Sequence, residues 1–295
     1  MKTIGDQRLD VALSKIGEKS LFTKELEFAL MEKEVAFVVH SCKDLPTTLP
    51  PGMKIAAIME REDPRDAVVM SKQMVAEGKV FLSQLPKGAT IGSSSLRRQA
   101  QLRHRYPHLN IESVRGNLNT RLRKLDGEHE TCQIEYSAII LAAAGLNRMV
   151  TQNEAFKGRL SSHLESSECM YAVSQGALAI EILEGDEQTA QLLQCLHHSK
   201  TALTITAERA FMKTLDGGCS SPIAVQCDLH EDKERGFLIA MSSLSIILHL
   251  LLKTHESSCF AEAFSALMDP SACIRRARST CLLSRQMLNT KVILF

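Results

Sequence analysis

Lys43-Asp44 stands where a short apolar run, Val35 to Val39, gives way to the polar segment His40-Ser41-Cys42-Lys43-Asp44-Leu45-Pro46. By spacing alone an acid beside a base reads as a solvated surface pair. Held in a cleft, the same carboxylate stabilises a developing cation and moves protons. The second chemical feature is charge. Between Ser93 and Lys124 the chain carries Arg97, Arg98, Arg103, Arg105, Arg115, Arg121, Arg123 and Lys124 against one acid, Glu112: a local +7 in 32 residues, on a chain of net +1. Such a field on a nearly neutral protein points to a ligand with several negative groups, and Arg forks suit carboxylates and phosphates. A solvated helix face and a nucleic-acid patch are the competing readings. Against nucleic acid stand the absence of Trp, an aromatic share of 4%, and no helix-turn-helix or base-stacking pattern.

Two glycine-containing segments complete the set. Gly217-Gly218-Cys219-Ser220-Ser221-Pro222 reads either as a buried cysteine in a helix-terminating turn or as an accessible thiol presented for covalent attachment. Gln175-Gly176-Ala177-Leu178 reads as a helix start, or as a place where the backbone approaches a ligand closely.

The elements that must position these residues alternate. Leu9 to Ile16 and Lys24 to Lys33 carry amphipathic helical spacing, and Val35 to Val39 and Ile55 to Met59 read as strands. A crossover is expected around Pro64. Thr90-Ile91-Gly92 is a strand leading into Ser93-Ser94-Ser95 and a helix from Leu96 to Arg105, whose serine start caps free N–H groups and attracts anions. Asn110 to Val114, a turn at Arg115-Gly116-Asn117, a helix from Leu118 to Leu125, and a strand from Ala138 to Ala143 running into a helix at Ala144 follow. This order predicts α/β architecture with mostly parallel sheets, and ligand loops at the carboxyl ends of the strands. Ala202 to Leu215 reads as a helix and Ile223 to Cys227 as a strand. Phe237 to Ala240 and Ser245 to Leu252 are strand candidates, and the later tail lacks clear alternation or caps.

Composition bounds the class. The 295 residues suffice for two or three domains, and an apolar share of 44% with 23% charged residues is that of a soluble globular chain. No apolar signal segment opens the sequence, and the longest apolar run, Ile246 to Leu252, is far short of a membrane span. The nine cysteines are scattered without a Cys-x-x-Cys pair, so neither a zinc site nor a disulfide framework is expected and a reducing cytoplasm is.

In order along the chain, His40 to Pro46, Gly92 to Gln101, Val114 to Asp126, Ala172 to Leu178 and Gly217 to Pro222 resemble the signature segments of the hydroxymethylbilane synthase (porphobilinogen deaminase) family. Nearly the whole stretch from Thr3 to Val225 resembles animal members. The resemblance implies a fold of two α/β domains like the lobes of periplasmic binding proteins, plus a smaller α+β C-terminal domain. Here these fall at 1–61 with 174–197, at 62–173 and at 198–295. It implies a transferase of haem biosynthesis that joins four porphobilinogen molecules head to tail, releasing ammonia, around a dipyrromethane cofactor. By the resemblance Cys219 holds that cofactor covalently, and Lys43, Ser94, Ser95, Arg97, Arg98 and Arg121 bind it. Asp44 is the catalytic carboxylate. Phe22, Ser41, Arg115, Gly116, Arg148, Gln175 and Gly176 contact substrate. The implied partners are porphobilinogen and the growing linear tetrapyrrole, on a cytoplasmic monomer without metal, nucleic acid or membrane.

Three departures from the family pattern are legible. A leading strand and helix, with a carboxylate-gripping loop, precede Thr3 in the family and not here. The sequence after about Ser245 diverges from the family's third domain. Ser174 stands where the family usually has glycine, which tightens the turn before Gln175. The alternative reading is a non-catalytic, two-lobed binding protein for a small polycarboxylate.

Overall fold

The computed structural model describes residues 23–214, 223–232, 236–243 and 291–294. Phe22, Cys219, the expected helix Leu9 to Ile16 and the strand candidate Ser245 to Leu252 lie outside the described residues. Three sheets organise the chain. The first has the order β1 (Val38–Ser41), β8 (Leu178–Leu183), β2 (Met53–Ile58), with β8 antiparallel to both neighbours. The second has five strands in the order β5 (Asn110–Glu112), β4 (Thr90–Gly92), β6 (Ala138–Ala142), β3 (Asp66–Met70), β7 (Ser162–Leu164). The third joins β9 (Val225–Asp232) antiparallel to β10 (Gly236–Ser243), with β11 (Lys291–Leu294) parallel to β10. The architecture is thus α/β, but the sheets are mixed where mostly parallel ones are expected. Parallel pairing in the second sheet is confined to β4 with β5 and β6, while β3 runs antiparallel to β6 and β7. The reason lies in two crossovers, residues 59–65 and 165–177. The chain leaves the first sheet after β2 and comes back to it as β8, so both crossing segments lead into strands that run against their neighbours.

The second sheet is buried on both faces because its central strands are apolar throughout. In β3 and β6 the side chains alternate with period two. Val68, Met70, Ala138 and Ile140 face one core with Leu102 of α3 (Leu96–Arg105), while Ala67, Val69, Ile139 and Leu141 face the other with Leu122 and Leu125 of α4 (Leu118–Leu125) and Leu146 of α5 (Ala143–Val150). Each such Val, Ile or Leu contributes roughly 1.5–3 kcal/mol on burial. The parallel arrangement of β4, β5 and β6 is bridged by α3 and α4, which puts the loops 93–95 and 113–117 at one end of the sheet. Both helix starts are capped: Ser95 Oγ, as the sequence predicts, accepts from Arg98 N at 3.5 Å, and Asn117 Oδ1, read as a turn residue, accepts from Thr120 N at 2.9 Å. The segment Gln175 to Leu178 is no helix start; it turns through Gly176 into β8. The remaining helices are α1 (Lys24–Met31), α2 (Lys72–Ala76), α6 (Glu187–Leu193) and α7 (Ser199–Thr214), and none of the described helices is long and apolar enough to cross a membrane. On α7, Met212 packs with Val225 and Cys227 of β9 and with Val173 of the second crossover.

Candidate functional site

Lys43 and Asp44 ride on one turn of 3₁₀ helix, Cys42–Asp44, directly after β1. The turn is pinned on both sides. Cys42 and Leu45 are fully buried, Cys42 N donates to Ala177 O at 3.0 Å, and Arg209 of α7 donates to the carbonyls of Leu45, at 3.3 Å, and Pro46. With its flanking residues anchored, the turn can only present Lys43 and Asp44 outward, to the space beside Gly176. Asp44 is exposed at the surface, and the protein packed near its carboxyl pushes its pKa up by loss of solvation, opposed by Lys43 and His40. Burial pushes the Lys43 ammonium down to about 8, while Asp44 and Asp66 pull it up and Arg98 and Arg97 push it further down.

A cleft of about 230 Å³ opens between the first and second sheets, lined by Lys43 from one and by Arg98, Asn117, Leu118, Arg121 and Gly145 from the other. A smaller recess of about 40 Å³ continues it past Ser41, Arg148 and Gly176. Two glycines make room for the backbone here. Gly116 has φ +110°, and an added Cβ would lie 2.6 Å from a Thr120 methyl. Gly176 has φ +92°, and its Cβ would lie 2.4 Å from the Glu62 carbonyl oxygen, where the two crossovers touch.

The eight cations between Ser93 and Lys124 do not form one clamp. Arg97 turns away from the cleft into the core: Nη2 donates to Asp66 Oδ2 at 2.8 Å and Nη1 to the Met170 carbonyl. Arg98 shares the same carboxylate, with Nη2 2.8 Å from Asp66 Oδ1 and Nη1 3.0 Å from Ile140 O. Two arginines hold the Asp66 carboxyl well below the usual carboxylate range in spite of full burial. Arg98 differs from Arg97 in lining the cleft, and its buried Nε has no hydrogen-bond partner among the described residues. Arg121 anchors its Nε on Gly116 O at 2.7 Å, and burial with Arg98 and Arg115 nearby lowers it to about 10. Arg103 and Arg105 are exposed, and Arg123 and Lys124 donate to the carbonyls of Glu128 and Arg115. Ser94 Oγ donates to Val114 O at 2.6 Å, and Ser95 caps α3. Arg148, from outside the basic stretch, reaches the recess while bound to Glu62 Oε1 at 2.7 Å and Gly176 O at 3.1 Å.

The cleft therefore gathers Lys43, Arg98 and Arg121, with Asp44 next to Lys43 on the same turn. Lys43 and Arg121 are lowered by burial and by one another's neighbours, and Arg98 has an unused donor. Asp66 escaped the sequence reading, because one acid at the head of an apolar strand gives no sign that it lies between two arginines some thirty residues on. Of the described cysteines, Cys42, Cys169 and Cys227 are buried, and no cluster of His, Cys, Asp and Glu suited to a metal occurs among the described residues.

Fold and site define a class: a two-lobed α/β protein with a cationic cleft. Residues 1–191 match the family model described as "Porphobilinogen deaminase, dipyromethane cofactor binding domain", and residues 202–256 match the C-terminal domain of the same family. The chain belongs to the porphobilinogen deaminase family. It is 50% identical over 232 residues to porphobilinogen deaminase of Gloeobacter violaceus and 51% identical over 227 residues to that of Neurospora crassa. These matches cover 78% and 77% of this chain, and the chain spans 66% and 65% of the two relatives' own length. Among solved structures it is similar to the periplasmic VFT2 domain of Bordetella pertussis BvgS, with 14% identity and a TM-score of 0.33 over 64% of this chain and 71% of that one.

Proposed function

We propose that this chain carries out the family's reaction, the stepwise head-to-tail condensation of four porphobilinogen molecules with release of ammonia. The observation that carries the reading is the convergence of Lys43, Arg98 and Arg121 from two lobes on one cleft beside Asp44. Porphobilinogen bears acetate and propionate arms, so each added unit brings two carboxylates to a site lined by Lys43, Arg98 and Arg121. The fit of a dipyrromethane follows from the same donors. Arg98 and the crowded Arg121 line the cleft and suit its carboxylates, with Lys43 on the facing lobe, while Arg97 acts behind the cleft by holding Asp66. Bound through Cys219, the cofactor would supply the pyrrole to which the first substrate is joined. Asp44 stabilises the positive charge that an attacking pyrrole acquires and accepts its ring proton, and its raised pKa supplies the basicity needed for the second. Ser41, Arg148 and Gly176 border the recess where an incoming unit lies, with Arg115 supplying further positive charge near Arg121.

Intact-mass analysis of the full chain after incubation with porphobilinogen tests the reading. The wild type is expected to gain a dipyrrole mass that Cys219→Ala does not gain, and then a ladder of substrate masses with ammonia release. Asp44→Asn is expected to keep the adduct and slow turnover by at least about 10²-fold, the usual scale for a lost acid–base group. A wild-type chain that binds porphobilinogen but gains no mass and releases no ammonia would make it a polycarboxylate-binding protein instead.

A further inference from the structure

Gln175 lies where the second crossover meets the cleft and is 1% exposed. Its amide nitrogen donates to the Pro64 carbonyl at 2.6 Å and to Asp66 Oδ1 at 2.8 Å. Those two acceptors decide which end of the carboxamide is which. The amide group faces the second lobe, and Oε1 is left facing Lys43, whose Nζ donates to it at 3.2 Å. The same Asp66 carboxylate accepts from Arg98, which lines the cleft with Lys43. A chain of hydrogen bonds thus runs from Lys43 through Gln175 and Asp66 to Arg98, out of one lobe and into the other.

We infer that Gln175 is a positioning residue: its carboxamide ties Lys43 of the first lobe to the Asp66–Arg98 pair of the second, and so sets the spacing and charge of two cations that face the ligand. The inference rests on the cleft being the carboxylate site of the proposed reaction. The residue type fits the task. The ammonium is enclosed and faces Asp44, Asp66, Arg97 and Arg98, with Arg121 and Arg148 along the same cleft. Asp44 and Asp66 already favour the charged ammonium, so a third carboxylate in that place would cancel the charge and repel the ligand. A carboxamide accepts without doing either. Its other end is satisfied by Asp66 and Pro64, so it does not turn over to present N–H groups to Lys43.

Competitive acetylation of the whole, unliganded chain across pH 6–10, with the Lys43 peptide quantified by mass spectrometry, reads the Lys43 titration directly. Gln175→Met keeps the length and removes the acceptor. It is expected to move the Lys43 midpoint down by about one pH unit, the effect of losing one hydrogen bond to a charged group. Gln175→Glu is expected to move it up, whereas the exposed Lys72 keeps its midpoint in both variants. In turnover assays the alkaline limb of the Gln175→Met profile shifts with the midpoint, through KM more than kcat. An unchanged Lys43 midpoint in folded Gln175→Met, or a midpoint in Gln175→Glu at or below that of wild type, overturns the inference. Should Gln175→Met fail to fold, the Glu variant alone decides. Labelling needs no turnover, so an inactive wild-type chain counts against the condensation reading and leaves this test standing.

Discussion

Ser174 adopts φ +65°, the left-handed region that costs a non-glycine residue of order 1 kcal/mol. Its backbone N–H donates to Glu208 Oε2 at 2.8 Å, so the conformation is imposed by contacts around it rather than chosen by the side chain. The hydroxyl is buried with only the Cys42 thiol near it, a weak partner. Both costs vanish in glycine, while the unfolded chain gains freedom that offsets part of the benefit. Ser174→Gly is therefore expected to stabilise the chain by about 0.5–1 kcal/mol. Urea unfolding of the two proteins checks the sign, and a Gly variant that unfolds at lower urea contradicts it. The same logic holds one turn later, where Gly176 is pressed against the Glu62 carbonyl and no side chain fits.

At the scale of elements, β3 shows where sequence reading stops. α3 and α4 are legible to the residue, because Ser95 and Asn117 cap them and their apolar spacing is local. β6 is legible because an unbroken run of apolar residues suits a strand covered on both faces. β1 is shifted from the expected run, since Val35, Phe37 and Val39 are exposed and only Val38 and His40 turn inward. Along β8, by contrast, Glu181 interrupts an otherwise apolar strand, and of the two readings of Gln175 to Leu178 the helix start fails. The partners of β3 are longer-range still: Asp66 is satisfied by Arg97, Arg98 and Gln175, none of them local. Asp66→Asn would leave two buried guanidinium groups short of a counter-charge, a loss of about 3–5 kcal/mol. The pH dependence has a definite sign. Asp66 has a depressed pKa in the folded state, so its contribution is present above the unfolded value of about 4 and is lost as pH falls below it. Wild-type stability should fall steeply below about pH 4, and the Asn variant should be weaker at neutral pH with a shallower acid decline. Parallel acid limbs in denaturation measured from pH 2.5 to 7 would count against this role.

Across the whole molecule, both crossovers and the third sheet's helix meet at one buried carboxylate. Glu208 of α7 binds Arg61 of the first crossover at 2.7 and 3.1 Å, and accepts from Ser174 N of the second. Arg61 also donates to Gln175 O at 2.8 Å and lies 4.9 Å from the Tyr171 ring centroid. One ion pair thus holds the hinge between the lobes against the helix that carries the third sheet, and its Arg209 neighbour grips the Lys43–Asp44 turn from the same side. Glu208→Gln keeps the shape and removes the charge. It leaves Arg61 uncompensated in a site where burying a cation is costly, so a loss of about 3–5 kcal/mol is expected. Because the pair joins separate cores rather than filling one, the loss should also divide the unfolding: α7 with β9 should release before the five-stranded sheet. Hydrogen exchange resolved by peptide tests this, with residues 199–214 exchanging faster in the variant and residues 138–142 unchanged. The double variant Arg61→Met, Glu208→Leu should recover part of the loss, since no charge is then stranded. Uniform acceleration across all peptides, or a double variant weaker than either single one, would show that the pair supports one core and not the junction of three.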